Sequence, residues 1–86
     1  MHIPISYVEA TVCAEREIQH HLAEAASQTR GSYAAHIHLG AAIGAFDLWR
    51  RLTVELDADE TYMSDTKRLA ALLRLASLSD FLDGLR

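Results

Sequence analysis

AAHIHLGAAIGAF, residues 34–46, runs directly into DLWRRL, residues 47–52, and the fold turns on how these are read. Between Ala34 and Phe46 there is no Asp, Glu, Lys or Arg, and Gly40 and Gly44 stand four positions apart. At about 100° per residue the spacing predicts a helix over about 33–54. Ala34, Ile37, Ala41, Ala45, Leu48 and Leu52 form its main apolar stripe, and Leu39, Ala42, Phe46 and Trp49 widen the arc. An arc that wide exceeds what a surface helix buries, so this helix is expected to touch neighbours on two sides. Each mid-helix glycine costs roughly 1 kcal/mol relative to alanine. That cost predicts a neighbouring helix crossing close to Gly40 and Gly44.

Toward the N-terminus, residues 28–32 (QTRGS) make the first break. Gly31 suits a left-handed helix ending and Ser32 suits an N-cap. So short a connection predicts an antiparallel helical hairpin. Its first arm spans about 7–28, opened by a capping box from Ser6 to Glu9. Val8, Thr11, Ala14, Ile18, Leu22 and Ala25 share one face, and Glu9, Cys13, Arg16, Glu17, His20 and Glu24 lie opposite. Glu15 interrupts the apolar face, so it sits at the stripe's edge or is buried against an Arg or His.

Toward the C-terminus, ELDADE (55–60) reads as the second connection. A third helix over about 62–77 presents Tyr62, Thr66, Leu69, Leu72, Leu73 and Ala76 to the core, with Lys67 and Arg74 opposite. SLSD (77–80) has a capping pattern, which predicts a separate final segment over 79–85 terminated by Gly84. The expected fold is all-α, a small bundle of three to four helices built on the hairpin, as one domain over residues 1–86. Composition agrees. Half the residues are hydrophobic but only 7% aromatic, so Ala and Leu carry the apolar content. Such a composition favours helices, and Pro4 is the only proline.

Charge and cysteine usage narrow the function. A formal charge of −4 argues against nucleic acid as partner. The lone Cys13 excludes an intrachain disulfide and fits a reducing compartment. No secretory signal is read at the N-terminus, and no apolar run approaches the roughly 20 residues that cross a bilayer. The expectation is a cytoplasmic protein with no membrane contact.

Three groupings bear on chemistry. Cys13, Glu17, His20 and Glu24 follow one another at spacings of four, three and four, and Glu17-x-x-His20 is the carboxylate–imidazole spacing of di-iron bundles. These residues face away from the apolar stripe, so ordinary one-turn pairs (Glu17–His21, His20–Glu24) are the expected outcome; metal binding is the alternative. His21 and His38 lie equally far from the predicted turn and should meet across it. His38 is expected as a neutral core histidine with one hydrogen bond, and His36 as exposed. Arg50-Arg51 and Lys67-Arg68 with Arg74 read as solvated basic clusters. A helix-turn-helix reading with recognition residues over 66–78 is opposed by the leucines that fill that segment.

No glycine-rich phosphate loop, paired Cys-x-x-Cys or nucleophile–base–orienter set is present, so no enzyme and no cofactor are expected. What remains is surplus apolar surface: Leu39, Gly40, Gly44, Phe46, Trp49, Leu75, Leu78, Phe81 and Leu82. These residues predict a homodimer and a module that binds another protein, of the kind found in small acidic regulators, adaptors or phage- and plasmid-type inhibitors. A DNA-binding regulator ranks behind the metal-binding alternative.

Overall fold

The computed structural model describes residues 6–54 and 60–84, with side chains described as far as Arg74. Within them the chain forms three helices and no strand: α1 (Tyr7–Ser27), α2 (Tyr33–Thr53) and α3 (Glu60–Gly84). The architecture is therefore all-α, with α1 and α2 closely packed as a hairpin.

Local chemistry accounts for both ends of the hairpin turn and for the start of α1. Ser6 Oγ accepts from the Glu9 amide at 3.0 Å and donates to Glu9 Oε1 at 3.1 Å, so the capping box closes through the two side chains. The α1 helix stops at Ser27, and the chain turns from Thr29 to Ser32, whose amide donates to the Thr29 carbonyl at 3.0 Å. Gly31 sits in this turn at φ +74°. That left-handed backbone state costs a residue with a side chain about 1–2 kcal/mol. Ser32 Oγ then caps α2 by accepting from the Ala35 amide at 3.2 Å.

The core is built around Trp49. Ile18, Ala42, Trp49 and Leu69 are buried together, and Tyr7, Ala14, Leu22, Ala45, Phe46, Tyr62, Leu72 and Leu73 pack on them. Tyr62 stacks on the indole with ring centroids 5.5 Å apart, and Phe46 stacks at 6.0 Å. Tyr7 tilts against it at 6.3 Å, within the range of favourable aromatic pairs. The indole N–H donates to Thr11 Oγ1 at 2.9 Å, and Thr11 donates in turn to the Tyr7 carbonyl at 2.8 Å. Thr53 is also fully buried, its hydroxyl bonded to the Trp49 carbonyl at 2.6 Å. The face of α3 agrees with the periodicity: Leu69 is buried, Tyr62, Thr66, Leu72 and Leu73 are half-buried, and Lys67 and Arg74 are exposed.

Several expectations are corrected. The α3 helix starts at Glu60 and runs unbroken through residues 77–80 to Gly84, so the separate segment over 79–85 does not exist. The buried face of α2 is Ala35, Ala42, Trp49 and Thr53; Ile37, Leu48 and Leu52, expected inside, are all more than half exposed. On α1, Val8 also points outward. Trp49, expected at an interface, is buried in the chain's own core at 2% exposure. Among the described residues no helix crosses close to the glycines: a methyl group added at Gly40 or Gly44 would meet no heavy atom within 4 Å. The ELDAD stretch, residues 55–59, lies outside the described residues.

The open surroundings of Gly40 and Gly44 carry a direct expectation. Each is exposed mid-helix. Gly40→Ala and Gly44→Ala should therefore each stabilise the protein by about 0.5–1 kcal/mol. The check is the urea unfolding midpoint, which should rise. A fall at either position would mean that another surface presses on that face.

Candidate functional site

The rotation of α2 relative to its expected orientation leaves an apolar face uncovered. Leu48 lies about 100° around the helix from the buried Trp49, and Ile37 and Leu52 project with it. Leu48, Ile37 and Leu52 are 57%, 51% and 55% exposed respectively. At Leu48 and Leu52 an open groove of about 280 Å³ runs between α1 and α2, with Ala10, Cys13, Ala14 and Glu17 on one wall and Ala45, Leu48 and Leu52 on the other. Trp49 closes its floor. Among the described residues, none from α3 lines it. Small side chains on α1 and large ones on α2 give a trough that accepts apolar groups, with the Glu17 carboxylate and the exposed Cys13 thiol at its rim.

The residues expected at an interface divide three ways. Trp49 belongs to the core, while Phe46 and Leu39 are half-buried. The Arg50 guanidinium stands 5.8 Å from the centre of the Phe46 ring, within cation–π reach. Gly40 and Gly44 lie on the exposed side of α2. The side chains of Leu75, Leu78, Phe81 and Leu82 lie outside the described residues. Ile37, Leu48 and Leu52, which periodicity assigns to the core, open onto solvent instead, Leu48 and Leu52 on the wall of the groove and Ile37 about three turns away along α2.

Of the candidate metal residues, Glu17 pairs with His21 (2.9 Å to Nε2). His20 contacts His21 edge-on, with centroids 5.0 Å apart. Cys13 and His20 are exposed, Glu24 is partly so, and among the described residues no group of three or more His, Cys, Asp or Glu side chains stands close enough to hold a metal ion. His21 and His38 do meet across the hairpin, their Nδ1 atoms 3.0 Å apart. The Asp47–Arg51 pair also forms, at 3.1 Å, on the outer side of α2.

A second polar cluster joins α1 to α3. Arg68 Nη1 donates to both carboxylate oxygens of Glu15, 2.6 Å to Oε2, and Arg68 Nη2 donates to Asp65 Oδ1 at 3.1 Å. Glu15 thus finds an arginine as partner. Tyr7 completes the cluster, its hydroxyl donating to Asp65 Oδ2 at 2.7 Å. Burial, reinforced by this bond to a carboxylate, pushes the Tyr7 phenol up to about 12. Because the folded value lies above the ordinary 10, the associated stability is complete below pH 10 and is lost as pH rises from about 10 to about 12. With partial solvent screening of the site, the loss is on the order of 2 kcal/mol. Unfolding in urea at about pH 8 and about pH 11.5 should reveal it. Tyr7→Phe should remove most of that alkaline loss while costing about 1 kcal/mol at neutral pH.

No helix among the described residues is long and apolar enough to cross a membrane. No protein-family model, curated protein or solved structure matches this chain.

Proposed function

We propose that this chain is a non-enzymatic protein–protein interaction module that receives an apolar helix in the groove between α1 and α2. It acts as a small acidic regulator, adaptor or inhibitor, and the first occupant to consider is a second copy of itself. The observation that carries this reading is the pair Leu48 and Leu52, one turn apart and each more than half exposed, on the wall of a trough of about 280 Å³. Large aliphatic side chains in a row cost free energy in water, and helix-in-groove recognition uses such anchors at helical spacing. Leu48 and Leu52 are already nearly half covered, so withdrawing the rest of each from water gains about 1–1.5 kcal/mol; they anchor a partner helix, and the remainder of the roughly 8 kcal/mol of a micromolar complex comes from filling the trough between them and α1.

The test is solution mass by light scattering over a concentration series, for the natural chain and for a Leu48→Glu/Leu52→Glu variant. The expected result is a two-chain mass for the natural protein and a one-chain mass for the variant, with helical content unchanged by circular dichroism. A one-chain mass for the natural protein at high micromolar concentration removes self-association. Capture of a host protein that Leu48→Glu/Leu52→Glu leaves undiminished removes the groove as the binding face.

A further inference from the structure

We propose that His21 and His38 form a two-histidine clamp across α1 and α2 for a divalent transition metal ion, zinc above all, with Glu17 holding His21 in place. The clamp shares Glu17 with the rim of the groove but does not depend on the interaction reading.

The hydrogen positions follow from the partners. Glu17 Oε1 can only accept, so His21 Nε2, 2.9 Å away, carries a hydrogen. A neutral His21 then presents the Nδ1 lone pair toward α2, where His38 Nδ1 stands 3.0 Å off and donates to it. A carboxylate on the remote nitrogen of an imidazole is the arrangement that orients metal-bound histidines and raises their basicity. Here it leaves the near nitrogen directed at a second imidazole, on a half-buried side chain. The Glu17 carboxylate also adds negative charge beside the clamp, which favours a cation there.

The separation suits chelation. Two nitrogens about 2.0–2.1 Å from zinc stand roughly 2.9 Å apart at a right angle and roughly 3.3 Å apart at the tetrahedral angle. The observed 3.0 Å falls between. The ring centroids are 5.3 Å apart, which places the two nitrogens almost head-on. Chelation therefore swings the rings by some tens of degrees, a soft motion about the terminal side-chain torsion, until both lone pairs converge. His38 moves its hydrogen from Nδ1 to Nε2, so both imidazoles stay neutral and the N–H···N bond is exchanged for two metal–nitrogen bonds. Water fills the remaining coordination positions. With two protein ligands this is an open site of modest affinity, and because one ligand comes from each arm of the hairpin, binding ties the arms together.

The experiment uses the full chain, stripped with a chelator and then titrated with zinc chloride while thermal unfolding is followed by circular dichroism. Above the dissociation constant, each tenfold rise in free zinc should raise Tm by roughly 5–10 °C. His38→Ala should abolish the rise, and Glu17→Gln should reduce it. In case His38→Ala unfolds, line broadening by Co2+ in the NMR spectrum of the natural chain gives a second reading. The expected pattern centres on residues 17–22 and 37–39. Absence of any Tm rise up to roughly 1 mM zinc overturns the proposal. So does a rise that His38→Ala leaves intact, or broadening centred on Cys13 or on another histidine.

Discussion

Replacing Trp49 with alanine is expected to cost about 3–5 kcal/mol of folding stability. The indole is 2% exposed, touches the rings of Tyr7, Phe46 and Tyr62, and supplies the N–H that Thr11 accepts. No neighbouring side chain can collapse into the space it would leave without drawing α1 or α3 inward. A chain of 86 residues has a total stability on the order of 4–13 kcal/mol. The substitution therefore removes a quarter of it or more. Trp49 is the only tryptophan, so the check is helical signal against urea rather than fluorescence. Trp49→Phe separates the two contributions. It keeps most of the packing and should lose only about 1–2 kcal/mol, chiefly for the Thr11 hydroxyl left without its donor.

The second large effect is expected at Leu69, which is completely buried and plugs α3 into the hairpin. Leu69→Ala should cost about 2–5 kcal/mol. Its consequence differs from that of Trp49→Ala because the other attachments of α3 are half-buried or polar: Leu72 and Leu73 at the edge of the core, Tyr62 on Trp49, Asp65 to Tyr7, Arg68 to Glu15. Partly exposed ion pairs contribute little on their own. The weakened contact should thus release α3 before the hairpin opens. Hydrogen exchange is the measurement: amides of residues 66–74 should lose protection first in Leu69→Ala, while those of α1 and α2 keep theirs. Uniform loss across all three helices would mean that the chain has no separable parts.

Periodicity suffices to find the helices, the caps of α1 and α2 and the inward face of α3, but it misplaces the inward face of α2. The reason is physical. The α2 helix is apolar around most of its circumference, so two overlapping faces, one through Ala34, Ile37 and Leu48 and one through Ala35, Ala42 and Trp49, compete on nearly equal terms. The second prevails because it carries the indole, whose area exceeds that of any aliphatic competitor. Thr53 belongs to it despite its hydroxyl, because a threonine that bonds the carbonyl one turn back satisfies itself and packs like valine. Thr11 does the same on α1. Spacing on α1 already places Thr11 inward, whereas leaving Thr53 out of the α2 pattern turns the inferred face of that helix away from it.

The break expected near residue 78 fails for a related reason. Ser and Asp cap a helix only where the chain before them has left helical geometry, and here α3 continues through them. The His21–His38 contact is legible because it needs only the distance of each residue from the turn. The partner of Glu15 is not, since Arg68 lies 53 positions away and pairing them requires the placement of α3. The uncovered face of α2 stays hidden because the same leucines that mark it also fit a core.

The Trp49–Thr11 and His21–His38 contacts sit ten positions apart on α1 and eleven apart on α2. They act as two rungs roughly 15 Å apart along the hairpin. Between the rungs α2 offers mostly small side chains, Ala41, Ala42 and Ala45, and Ile18 of α1 is the one large aliphatic side chain fully buried there. A slide of about 5.4 Å would displace Ile18 and break both rungs at once. The polar pair therefore works as a vernier beside a single apolar peg: contacts that add modestly to stability sharpen a register that Ile18 alone sets coarsely.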